Sequence, residues 1–239
     1  MPVSSGLHEQ NMTPLRATPV RHVVYLHGFA SSPESSKAVR FRRELEKRRV
    51  GFSCPDFNQP EFETLTTTRM LGQVRDAMRQ VKEGPIALVG SSLGAFVAVH
   101  AAARDTTGLI DRLILLAPAL DFGGNRLRQL GQSGIEEWRR SGTLRVFHYG
   151  AGTERQIGFA LYEDAALYDA ITVPSTVPTM VFQGDQDTSV DPGMVKEWAE
   201  GRELVDLRLL SDGHQLTDSL DLIWRVSAPF LGLSPDGPL

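Results

Sequence analysis

The chain has a single cysteine, Cys54, which excludes an intrachain disulfide, and no Cys/His spacing of the zinc-site kind occurs elsewhere. No segment is apolar for the roughly 18 residues that a membrane span requires. The leader MPVSSGLHEQNMTPLRATPV also lacks the apolar core of a signal peptide. Long runs of one charge sign are missing too, and 25 basic against 29 acidic side chains leave a formal charge of −4. That balance disfavours nucleic acid as a partner. There is no HExxH, no GxxxxGKS/T and no strand-linked GxGxxG, and the six histidines are scattered, so zinc-protease, phosphate-loop and dinucleotide chemistry lack a motif. No metal and no cofactor is expected. Together these absences suit a cytoplasmic protein in a reducing compartment, and nothing among them sets an oligomeric state.

What is present is an alternation of strands and helices. VRHVVY, from Val20 to Tyr25, is β-branched and apolar and stops at His27-Gly28, as a buried strand does before a tight loop. Ser36 to Val50 carries Ala38, Phe41 and Leu45 on one helical face and charge on the other. A short strand around Phe52 and Cys54 follows. Leu71, Val74, Met78 and Val81 mark a second helix, ended by Gly84-Pro85. The strands IALVG, LILLAP, TMVFQ and LVDLRLL come next, with the apolar helix AFVAVHAAA after the first and a helix begun by Asp191 and Pro192 before the last. A final helix is expected to carry Leu216, Leu220, Ile223 and Trp224.

This order predicts an α/β fold: a mainly parallel sheet of about six strands with helices on both faces. Residues 1–19 read as a flexible leader and 20–239 as one domain. Asp121 to Val177 is far longer than the roughly 2–6 residues of an ordinary strand–helix connection. We read it as a cap insertion with helical fragments near Glu136 to Arg140 and Ile157 to Ala170.

Gly90-Ser91-Ser92-Leu93-Gly94 is a G-x-S-x-G sequence between a buried strand and an apolar helix, the context of a nucleophile elbow. Its spacing selects Ser92 over Ser91. At a glycine usage near 7%, about one serine in two hundred has both glycines by chance, so the strand–turn–helix context carries the inference. The Leu93 N–H, at a helix start, and the Phe29 N–H, in His27-Gly28-Phe29-Ala30, are the candidate oxyanion donors; His27 reads as a brace for that loop. In QGDQDTSVDP two carboxylates compete for the triad acid, with Asp187 preferred to Asp185. His214, in SDGHQL after the last strand, is the candidate base, and the chain order Ser, Asp, His is that of α/β-hydrolases. Ala30, Phe29, Trp138, Phe147 and Phe159 are candidates for lining a substrate pocket.

VVYLHGFASSPESSKA, DFNQPEF followed by LTTTRML, LVGSSLGAFVA, FQGDQDTSV and DGHQL together resemble the YqiA/YcfP-type esterases, a small branch of the α/β-hydrolases. The resemblance runs from about Val23 to the last helix. It implies a hydrolase acting on small-molecule carboxylic esters or thioesters, with Ser92, Asp187 and His214 at the triad positions. The same triad serves thioesterases, lactonases and peptidases, because it specifies acyl chemistry and not the leaving group. A ligand-binding protein with a silent site on this fold is the reading from another class.

Overall fold

A computed structural model describes residues 18–122 and 130–236. Most of the leader, residues 1–17, lies outside the described residues, as do residues 123–129 of the insertion. The elements run β1 (His22–Leu26), α1 (Ser36–Lys47), β2 (Gly51–Ser53), α2 (Thr67–Arg79), β3 (Ile86–Ser91), α3 (Leu93–Ala103) and β4 (Ile110–Leu116). They continue as α4 (Gly131–Ser141), β5 (Thr143–His148), β6 (Thr153–Gly158), α5 (Ala160–Ala165), β7 (Thr179–Gly184), α6 (Pro192–Ala199), β8 (Val205–Leu210) and α7 (Leu220–Phe230).

β1, β2, β3, β4, β7 and β8 form one parallel sheet in the order β2-β1-β3-β4-β7-β8. Its near-continuous apolar strands are what a sheet covered on both faces needs, since alternate side chains point to opposite sides. Val24, Leu26, Leu88, Leu113 and Leu115 pack on one side with Met70, Val74, Phe96 and Val195 of α2, α3 and α6. Val23, Tyr25, Val89, Ile114 and Leu116 pack on the other with Ala38, Phe41 and Leu45 of α1 and Ile223 and Trp224 of α7. Phe41 meets Trp224 edge-on at 5.8 Å, which locks α1 to α7. Among the described residues no helix is long and apolar enough to cross a membrane.

Two expectations are corrected. Ile157 to Ala170 is only partly helical: β5 and β6 form an antiparallel hairpin ending at Gly158, and α5 spans Ala160–Ala165. The hairpin hides from a pattern search because the first four residues of β6 are all exposed, so no period-2 apolar alternation marks it. The last helix starts at Leu220, and Leu216 instead sits buried in a turn with φ 54°.

Candidate active site

The site gathers at the carboxyl ends of the parallel strands, where the loops after β1, β3, β7 and β8 meet. Ser92 joins β3 to α3 with φ 53° and ψ −114°, a conformation that costs a non-glycine residue on the order of 1–3 kcal/mol and persists only when its surroundings impose it. They do so here. The Ser92 N–H donates to the Leu116 carbonyl (2.8 Å), and the Ser92 carbonyl accepts from Ala95 (3.0 Å) and Ala119 (3.2 Å).

The two glycines of the pentapeptide have steric reasons. A Cβ on Gly90 would lie 2.5 Å from the Ala95 Cα, and one on Gly94 would overlap the Leu26 carbonyl oxygen of β1. Gly94→Ala is therefore expected to destabilise the fold by about 1–3 kcal/mol or more, because backbone on both sides cannot yield. A denaturant midpoint equal to that of the parent protein would contradict this.

Gly28 brings the loop after β1 onto the elbow: a Cβ there would sit 3.4 Å from both the Ser92 Cβ and the Ser91 carbonyl. Phe29 follows it. Its N–H makes no hydrogen bond with another described residue, and the Leu93 N–H, at the first position of α3, has no acceptor within the helix. His27, buried, holds this loop from behind. Its Nδ1–H donates to the Gly28 carbonyl (2.9 Å) while Nε2 accepts the Phe57 N–H (3.0 Å). Nε2 thus has no proton to give Asp56, 3.4 Å away.

Asp187 turns inward from the loop after β7. Its Oδ1 accepts the N–H groups of Ser189 (2.8 Å) and Val190 (2.9 Å), and its Oδ2 accepts Gln183 Nε2 (3.0 Å) and His214 Nδ1 (2.8 Å). Burial opposes its charge, but the bonds from His214, Val190 and Gln183 outweigh it and hold the carboxyl below its ordinary value. Gln183 carries no signal in the sequence beyond its place in a strand. Asp185 is exposed, with Ser211 Oγ at 3.5 Å as its side-chain partner.

An ionised Asp187 can only accept, so His214 Nδ1 bears the proton and the Nε2 lone pair faces Ser92 Oγ at 3.2 Å. Gly184, at the end of β7, lets the His214 loop come this close, since a Cβ there would collide with the Asp212 and Gly213 carbonyls.

The expected pocket residues stand in different settings. Trp138 is buried, donates Nε1–H to the Ile157 carbonyl and meets Phe159, which stacks on Tyr162. Trp138 and Phe159 belong to the same apolar cluster as Leu26, Leu88 and Phe96 of the sheet and α3, and Tyr162 packs against it. Phe147 is 51% exposed beside Tyr149. The rings beside Phe29 are instead Phe62 (5.5 Å) and Phe122 (6.4 Å). Ala30, at φ 53°, accepts the Gly150 N–H from the hairpin turn (3.1 Å) and so ties the insertion to the Phe29 loop.

A cleft of about 880 Å³ opens between residues 56–63 and the hairpin, lined by Asp56, Asn58, Glu61, Arg145, His148 and Arg155 among others. Ser92 is not on its wall. Among the described residues no group of three or more His, Cys, Asp and Glu side chains could hold a metal ion.

Comparison with solved structures finds the same fold. A protein from Agrobacterium vitis S4 provisionally named a hydrolase is 22% identical, with a TM-score of 0.78 over 88% of this chain and 87% of that one. Est1E from Butyrivibrio proteoclasticus with ferulic acid bound is 20% identical, with a TM-score of 0.74 over 92% and 90%. Mouse alpha/beta hydrolase domain-containing protein 10 is 21% identical, with a TM-score of 0.70 over 86% and 88%. No curated protein sequence matches significantly. The model of the uncharacterised protein family UPF0227 matches residues 22–229, and the chain belongs to this YqiA-like family and has the fold of the α/β-hydrolases.

Proposed function

We propose that the protein is a serine esterase that hydrolyses small carboxylic esters through an acyl-enzyme on Ser92. One observation carries the reading: a serine on a strained strand–helix turn, 3.2 Å from an imidazole whose other nitrogen donates to a buried carboxylate at 2.8 Å. His214 Nε2 takes the Ser92 proton as Oγ attacks the ester carbonyl. Asp187 keeps the imidazole in the required tautomer and stabilises its cationic form. The oxyanion faces the Phe29 and Leu93 N–H groups, each contributing about 10²–10³ in rate. The C–O bond to the alcohol then breaks, and the alcohol leaves with the proton from His214. Water attacks the acyl-enzyme by the same steps, freeing the acid and restoring Ser92.

Residues 121–177 serve in this reading as a cap, a role supported by the hydrogen bond between Gly150 and Ala30 beside the oxyanion loop. The half-buried Phe29, flanked by Phe62 and Phe122, would form an aromatic wall for the acyl group. Phe29→Ala keeps the backbone donor and removes the ring. KM for an aromatic acyl ester is expected to rise about 2–12-fold, the worth of one aromatic contact, with acetate esters changed less. An equal change for both esters would remove this assignment.

The activity is tested with a fluorophosphonate probe followed by peptide mapping. The expected result is one adduct, on Ser92. No adduct, or an adduct elsewhere, would overturn the esterase reading.

A further inference from the structure

Lys37 lies in the first turn of α1, where a cation opposes the helix dipole and no acidic side chain compensates. It is nonetheless only 7% exposed. A buried ammonium in such a place is costly unless it is held. What holds it is the loop that carries His214: Nζ donates to the Gln215 carbonyl at 2.6 Å and reaches Gln215 Oε1 at 3.4 Å. The charged groups facing it are Asp212 of that same loop and Asp187 of the loop after β7.

The rest of the loop is organised around this contact. Asp212 accepts the N–H groups of Gly213 (2.7 Å) and Ser219 (2.9 Å), which closes the loop on itself. Leu216, next after Gln215, is held at φ 54° with its N–H on the Gly213 carbonyl. Gln215 directly follows His214, so a contact that fixes its peptide also fixes where the imidazole points.

We propose that Lys37 is a positioning residue: its buried ammonium anchors the Gln215 carbonyl, one peptide beyond His214, and so sets Nε2 against Ser92 Oγ. This rests on the reading of Ser92 and His214 as the reacting pair. Lys37 touches neither substrate nor reacting atoms. It acts through the imidazole, and a misplacement of about 1 Å in such a pair costs on the order of 10²-fold.

Burial pushes the Lys37 ammonium down to about 8 from its ordinary 10.5, against the pull of Asp212 and Asp187. The anchor therefore weakens as pH rises through about 8. Between pH 8 and 10.5 the folded state binds fewer protons than the unfolded one, so this group makes stability rise with pH across the interval in which activity falls. A loss of activity by general unfolding would have the opposite sign.

The test compares the full-length parent protein with Lys37→Met and Lys37→Arg, using p-nitrophenyl acetate kinetics from pH 6.5 to 9.5, thermal melting and fluorophosphonate labelling. Lys37→Met is expected to lose about 10–100-fold in kcat at pH 7, with KM within about twofold. Its Tm should be unchanged or raised, because a buried charge is gone. Lys37→Arg should return kcat to within about threefold of the parent and abolish the alkaline limb near pH 8, since guanidinium stays charged.

Full kcat in Lys37→Met, with the parent labelled at Ser92, overturns the proposal and leaves the esterase reading intact. So do parallel alkaline limbs in all three proteins. An unlabelled parent overturns that reading and the proposal with it. Should Lys37→Met fail to fold, Lys37→Gln, which keeps a neutral donor, and the parent's own pH profile decide. An activity that stays flat through pH 9.5 in the parent overturns the anchor.

Discussion

Replacing Ser92 with alanine is expected to lower kcat for ester hydrolysis by on the order of 10⁶, because it removes the nucleophile of the proposed acyl-enzyme. The fold should survive, since alanine keeps the Cβ and the backbone bonds to Leu116, Ala95 and Ala119 that impose φ 53°. A glycine at the same place would be equally inactive but would release the strain. Ser92→Gly is expected to be more stable than Ser92→Ala by about 1–3 kcal/mol, the cost of this backbone conformation for a non-glycine residue. Steady-state kinetics with urea denaturation of the two variants checks both claims. Residual hydrolysis within tenfold of the parent would show that another nucleophile does the work. Cys54 is a poor substitute, since burial pushes its thiol up to about 12.

The second large effect is expected at Asp187. Asp187→Asn should retain the hydrogen bonds from Ser189 and Val190 to Oδ1, but its amide no longer demands a proton on His214 Nδ1. The imidazole can then present a protonated Nε2 to Ser92, and kcat is expected to fall about 10⁴-fold. The same substitution has a stability signature with a definite sign. The folded-state value of Asp187 lies below that of the unfolded chain, so its charge contributes stability that is fully present above the ordinary carboxylate value of about 3.9 and is lost as pH falls through the lower folded value. The gap in urea midpoint between the parent and Asp187→Asn should accordingly close as the solution is acidified below about pH 3.9. A gap that widens on acidification would mean that the group is held protonated. A kcat loss matched by Asp185→Asn would move the role to Asp185.

The preference for Asp187 in the sequence was a preference between two carboxylates in one short loop. Spacing cannot say which of them turns inward. That choice is made by the Ser189 and Val190 amides, by Gln183 behind them, and by a histidine 27 residues away in the chain. The aromatic residues of the insertion illustrate the same limit. Trp138 and Phe159 are apolar enough to line a pocket, and the sequence does not say that they meet edge-on at 5.5 Å. Phe62 and Phe122, which stand beside Phe29, lie about 30 and 90 residues beyond it and carry no local mark.

The sequence by itself determined the alternating architecture, the two-faced parallel sheet, the elbow at Ser92 and the chain order of serine, acid and histidine. Each of these is written in short-range terms: unbroken apolar strands, amphipathic helices, and glycines whose neighbours are a few residues away or in the next strand. Tertiary structure alone decided the inward turn of Asp187, the polar hairpin of β5 and β6, the aromatic neighbours of Phe29 and the burial of Lys37. In a helical pattern Lys37 reads as one more surface cation; it is the return of the chain 178 residues later that buries it against Gln215. Contacts between segments so distant depend on how whole elements pack, and no local periodicity records that.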